Sequence, residues 1–188
     1  MKTTSVGLFA ILLSLPLLAW ADRARPPRDY VVDVGGSGYV FVMLAKRDNP
    51  LFDPGAPDDV GVVDRDANIR RTYKLSGMYL KGSKTPLWSV SWYAFEVYPN
   101  QDGEHLVRMG PWASSMDQLA VSFYTRGVET KRYTIGDLVK NRENLRHTVS
   151  HFFWLSEQRY DEKANTLHLK TVDGLSYVFS AINGEIVQ

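Results

Sequence analysis

Histidine pairs, serine–histidine neighbours and carboxylate clusters are the combinations in this chain that could do chemistry. The run HTVSHFFW, residues 147 to 154, contains H-x-x-x-H, which on a helix would bring two imidazoles close enough to share a zinc ion. Thr148, Val149, Phe152, Phe153 and Trp154 favour extended chain instead. Four residues of strand would hold the imidazoles ~13 Å apart, on one face but too far to share an ion. Ser150 beside His151 joins a nucleophile to a base in sequence, yet adjacent strand residues point to opposite faces. No G-x-S-x-G or S-x-x-K run is present to support a serine hydrolase. Asp64, Asp66 and Asn68 open like a calcium loop, but Ile69 stands where glycine is needed and Leu75 where the bidentate glutamate is needed. The expectation is therefore no catalytic set, no metal and no cofactor.

Aromatic residues offer binding rather than reaction. PLWSVSWYAFEVYP, residues 86 to 99, carries two tryptophans, two tyrosines and a phenylalanine. Read as one long strand, it places Trp88, Val90, Trp92 and Ala94 on one face and Leu87, Tyr93, Phe95 and Val97 on the other. Both faces are apolar, which describes a central strand covered on both sides. The alternative exposes Trp88 and Trp92 as a stacking surface for sugar rings or peptide side chains. Close by, VRMGPWASS sets Arg108 before a Gly110-Pro111 corner with Trp112 at its tip. Arg108 could pair with Asp117, or Arg108 and Trp112 could face a ligand from a loop, where binding residues concentrate. With His151 and Trp154, the candidate ligand-binding set is Trp88, Trp92, Arg108, Trp112, His151 and Trp154.

The elements that must position these residues are mostly strands. Tyr30 to Val34 and Tyr39 to Ala45 flank Gly35-Gly36-Ser37-Gly38. No helix pattern follows that glycine cluster, so it reads as a turn and not a phosphate cradle. Residues 46 to 68 form a long Asp-, Pro- and Gly-rich loop. Arg71 to Leu75, Met78 to Lys81 and Glu104 to Met109 are further strand candidates, as are Gln118 to Thr125 and Val128 to Thr134. Thr166 to Val172, Leu175 to Ala181 and Glu185 to Val187 read as a meander turning at Asp173-Gly174 and Asn183-Gly184. One helix is expected, capped by Thr134 with Asp137 three residues on, and ending near Arg146. The fold class is all-β, a mainly antiparallel meander, sandwich or partial-propeller-like arrangement, with one short helix near residues 135–146.

Residues 166 to 187, TLHLKTVDGLSYVFSAINGEIV, resemble one blade hairpin of the quinoprotein-type β-propeller repeats. The matching positions are Asp173, Gly174, Tyr177, Phe179, Asn183, Gly184 and Glu185. The resemblance implies hairpin geometry alone. There is no clear repeat at a fixed period, the chain is short for four blades of ~40–45 residues, and the blade's closing tryptophan is missing after Glu185. Otherwise the chain looks like uncharacterised secreted bacterial proteins.

The N-terminus addresses the chain. Lys2 precedes the apolar run Val6 to Leu18, and Ala19-Trp20-Ala21 follows, the three parts of a secretory signal peptide with cleavage expected after Ala21. The apolar run is shorter than the ~20 residues a membrane span requires, so no stable membrane insertion is expected after cleavage. Cleavage removes one lysine and takes the formal charge from +1 to 0, which gives no electrostatic reason to expect nucleic acid. The chain contains no cysteine, so its stability in an oxidising compartment must come from a packed core. Residues 1–21 are thus expected as signal peptide, 22–29 as a flexible segment and 30–188 as a single β-rich domain. The sequence points to a periplasmic or secreted, non-catalytic binding or accessory module for another envelope protein or a glycan. A hydrolase acting on envelope polymers is the alternative, since a glycosidase needs only two carboxylates at the right separation. A third expectation is an accessory subunit whose edge strands another chain completes.

Overall fold

The computed structural model describes residues 26–46 and 68–188. The expected signal peptide, residues 22–25 and most of the 46–68 loop, with Asp64 and Asp66, lie outside the described residues.

Antiparallel meanders make up nearly all of the described chain. The first sheet runs in order through β1 (Tyr30–Val34), β2 (Tyr39–Met43), β3 (Ser76–Leu80) and β4 (Trp88–Val90). The second is β5 (Val97–Pro99), β6 (His105–Met109), β7 (Leu119–Thr125) and β8 (Val128–Thr134). A two-residue hairpin, β9 (Arg146–His147) and β10 (Phe152–Phe153), leads into the third sheet of β11 (Leu155–Asp161), β12 (Thr166–Thr171) and β13 (Ser176–Ser180). Every pairing is antiparallel between sequence neighbours, and the sheets are open. Local turn chemistry therefore sets the register: Val34 pairs with Tyr39 across the glycine turn, where Gly36 and Gly38 take φ of +73° and +79°.

The second sheet is the middle layer, and the alternation along β6 and β7 shows it. Val107, Met109, Val121 and Phe123 join a core with Leu167, Leu169 and Phe179 of the third sheet. Leu106 and Tyr124 point the other way, into a core with Val34, Phe41, Met43 and Met78 of the first sheet. A strand buried on both faces loses the hydrophobic-in, polar-out pattern, and β7 is buried at all five interior positions. Phe123 and Phe179 meet at 5.7 Å between centroids, both fully buried, each ring contributing ~1.5–3 kcal/mol by removal from water. The stack is closed at both ends. Beyond the first sheet, Val40, Val42 and Tyr79 are covered by Leu44, Ile69 and Tyr73. The outer face of the third sheet carries charge, including Lys170 paired with Glu157 at 2.8 Å.

Several expectations are corrected. The aromatic run is not one strand: it splits into β4 and β5 with residues 91–96 between them, and so passes from the first sheet to the second. Because that crossing falls at Ser91–Glu96, the alternation expected for Trp92 to Phe95 does not hold. Residues 68–72 are helical, overturning the strand expected at Arg71 to Leu75; Ile69 and Tyr73 pack together beneath Tyr79. At the end of the 22–29 segment, buried Asp29 accepts from Ala45 N and Arg70 Nη2, each at 2.7 Å. Leu155–Asp161 is a strand that the sequence reading missed, while the expected strand at Glu185 to Val187 is reduced to a bridge between Phe179 and Ile186.

The helix carries the expected cap but stops early. Thr134 and Asp137 form both halves of the capping box, and the helix is Ile135–Leu138. It ends because Lys140 N and Asn141 N donate to Asp173 Oδ2 at 2.7 and 2.8 Å instead of to helical carbonyls. Tyr177 OH takes the carbonyl of Leu138 at 2.7 Å. Asn141 then caps a separate 3-10 turn, Arg142–Asn144.

Candidate ligand-binding cleft

An aromatic cleft of about 400 Å³ opens where the end of β6, the β9–β10 hairpin and the start of β11 meet. Gly110 makes the corner possible. Its N–H donates to Ala120 O at 2.8 Å, and a Cβ there would lie 1.7 Å from Leu119 O, so only glycine lets the chain pass so close. Pro111 and Trp112 follow on the turn. The hairpin is closed by Thr148 N donating to His151 O at 2.8 Å, and docks on the corner through Phe152 N to Ala113 O at 2.9 Å. This turn overturns the single strand expected through residues 148 to 154: His147 lies on β9 and His151 at the start of the returning limb.

Alternation after the turn decides which rings are available. Phe152 and Trp154 point inward, at 7% and 8% exposure, and join the core of the second and third sheets. Phe153 points outward and keeps 51% of its surface exposed. Trp112, His151 and Phe153 form a ladder of edge-to-face rings, at 4.2 Å for the first pair and 4.7 Å for the second. His151 is itself buried, with Nδ1 at 2.7 Å from Thr148 Oγ1. Across the cleft stands Phe95, 45% exposed, beside Glu96. The carboxylate of Glu96 accepts a short hydrogen bond from Tyr98 OH, which in turn accepts from Gln158 Nε2 at 2.6 Å. That chain fixes the carboxylate at the rim. Burial, with Glu96 adding to it, pushes the Tyr98 hydroxyl well above its usual range, so it stays a donor. Trp112 Nε1 is out of contact with water and has no acceptor among the described residues.

Three of the six expected ligand residues come together here: Trp112, His151 and Trp154. The other three lie elsewhere, between the first and second sheets. Trp88 packs against Phe41, and its Nε1 donates to Gly103 O at 2.8 Å, a structural bond tying β4 to the β5–β6 turn. Trp92 lies against Tyr124 and beneath the guanidinium of Arg108, 4.4 Å from the ring centroid. Arg108 donates to Tyr93 O at 3.3 Å, in place of the pairing with Asp117 that its sequence neighbourhood suggests. Tyr124 OH continues the contact to Glu129 at 2.8 Å, and Glu129 is held below the usual carboxylate range by Arg132. Trp88, Trp92 and Arg108 thus hold two layers together.

Sequence reasoning missed Phe95, Glu96, Phe153 and Gln158. Phe95 and Glu96 were hidden inside a run read as one strand. Phe153 could have been found from period two, as the outward residue between two inward rings. Among the described residues, no group of three or more histidine, aspartate and glutamate side chains is placed to hold a metal ion. No described helix is long and apolar enough to cross a membrane. Compared with protein-family models, curated proteins and solved structures, the chain finds no match in any of the three.

Proposed function

We propose that the protein is an exported, non-catalytic binding or accessory module whose ligand, part of an envelope protein or glycan, seats in the Trp112–His151–Trp154 cleft. The observation that carries this reading is the pair of half-exposed rings, Phe95 and Phe153, standing at the rim of a cleft already walled by aromatic side chains. Leaving two phenylalanines in water forgoes burial that the fold achieves for other rings, and apolar surface concentrated at one concavity is characteristic of a binding site. The secretory pattern of residues 1–21 supports a periplasmic or extracellular location. Phe153 stands on a hairpin whose Phe152 N–H donates to Ala113 O beside the Gly110 corner, so that wall of the cleft rests on a main-chain bond.

Titration of the mature protein with soluble envelope glycan fragments and with short peptides tests the reading, followed by tryptophan fluorescence. The expected result is a saturable change for one ligand class that Phe153→Ala weakens while the circular-dichroism spectrum stays unchanged. A saturable change that Phe153→Ala and Phe95→Ala leave intact would move the site away from this cleft.

A further inference from the structure

Resting on the cleft as the site, we infer that its ligand is a peptide segment of a partner protein that presents a lysine or arginine side chain next to an apolar one. Charge supplies the first reason. Among the described residues that line the cleft, Glu96 is the only aspartate, glutamate, lysine or arginine side chain. One of its oxygens is engaged by Tyr98, and the other has no hydrogen-bond partner among the described residues. Phe95 beside it and Phe153 across the cleft are both about half exposed, and an aromatic face carries the negative side of the ring's quadrupole. Aromatic faces grouped with one carboxylate favour a cation on an apolar stem, because the rings attract the charge while covering the methylenes.

Hydrogen-bonding capacity supplies the second reason. A neutral sugar brings several hydroxyls, each costing ~1–3 kcal/mol if it is buried without a partner. The lining offers few groups to receive them. One Glu96 oxygen and the Gln158 amide nitrogen are joined through Tyr98 and His151 Nδ1 is engaged with Thr148, leaving the other Glu96 oxygen, the Gln158 amide oxygen and Trp112 Nε1. Most of the remaining lining consists of phenylalanine, tryptophan, leucine, methionine, proline and alanine side chains. A basic–apolar peptide asks for one charge and two apolar contacts, and the cleft supplies those.

The test compares three probes on the mature protein by tryptophan fluorescence and calorimetry at low ionic strength. They are acetyl-Leu-Lys-Phe-amide, the same peptide with norleucine in place of lysine, and a neutral oligomer of N-acetylglucosamine. The lysine peptide should bind roughly tenfold more tightly than its norleucine counterpart. That preference should shrink in Glu96→Gln, which keeps the acceptor for Tyr98, and shrink in part in 0.5 M salt, where the Debye length falls to ~4 Å. Equal affinity for the two peptides, or a preference that survives Glu96→Gln, overturns the charge assignment and leaves the cleft as the site. Tighter binding of the sugar oligomer overturns the ligand class in the same way. Failure of all three probes to bind overturns the peptide assignment too, and an envelope ligand that binds without sensing Phe153→Ala overturns the cleft itself.

Discussion

Replacing Asp173 by alanine removes the clamp between the β12–β13 turn and the segment after the short helix. Asp173 Oδ2 accepts from Lys140 N at 2.7 Å and Asn141 N at 2.8 Å, and Oδ1 accepts from the Thr171 hydroxyl. Hydrogen bonds to a charged group contribute ~1.5–3 kcal/mol each where water is excluded. The side chain is only partly buried, and water replaces some of what is lost, so the expected cost for the set is about 2 kcal/mol at pH 7. Burial alone would raise the Asp173 pKa, but the bonds from Asn141, Thr171 and Lys140 hold it below the ordinary carboxylate value. A depressed folded pKa means the contribution is present above the unfolded value of about 3.9 and is lost as the pH falls through the folded pKa. Urea denaturation of parent and Asp173→Ala should therefore show a gap of about 2 kcal/mol at pH 7 that closes as the pH is taken from 5 towards 2. A gap below ~0.5 kcal/mol at pH 7, within the range of ordinary surface substitutions, would refute the clamp. A gap that persists at pH 2 would refute its dependence on the charged carboxylate.

Other outcomes follow from the same contacts. Phe153 and Phe95 keep about half their surface exposed, so each leaves roughly half of a ring's ~1.5–3 kcal/mol for a ligand to gain. Phe153→Ala and Phe95→Ala should each weaken binding about threefold to tenfold, measured by fluorescence titration, and the buried half of each ring should cost folding stability only ~1 kcal/mol. Phe179→Ala, at a fully buried position, should cost ~3–5 kcal/mol in urea denaturation. Gly110→Ala would drive a methyl group into Leu119 O and should sharply lower the yield of folded protein and its melting temperature, read by circular dichroism. Trp88→Phe breaks a hydrogen bond to Gly103 O, whereas Trp112→Phe removes an N–H without an acceptor. Chemical denaturation should show Trp112→Phe to be less destabilising than Trp88→Phe by ~1 kcal/mol or more.

Strand positions were legible where period-two alternation met a glycine turn. β1 and β2 around residues 35–38, β7 and β8 around Arg126-Gly127, and β12 and β13 around Asp173-Gly174 all lie where the sequence puts them. Legibility failed where tertiary contacts overrode local pattern. The helix after Thr134 has apolar residues enough for three turns, yet Asp173, more than thirty residues on, captures the N–H groups it would need. The aromatic run has no proline or glycine between Trp88 and Val97 to announce that it leaves one sheet for another. Half of the candidate site was visible as residue types: His151 and Trp154 are sequence neighbours, and the fold brings Trp112 to them from about forty residues upstream. Phe95 and Glu96 reach the same cleft from the crossing just before β5, a meeting set by the β5–β6–β7 register rather than by any local signature.

The most direct test of the cleft is the set of indole N–H resonances of the mature, nitrogen-15-labelled protein during titration with the lysine-bearing peptide. Trp112 and Trp154 should shift progressively to saturation, while Trp88 and Trp92, locked between the first two sheets, keep their positions. Movement of Trp88 and Trp92 with Trp112 and Trp154 unchanged would contradict the account.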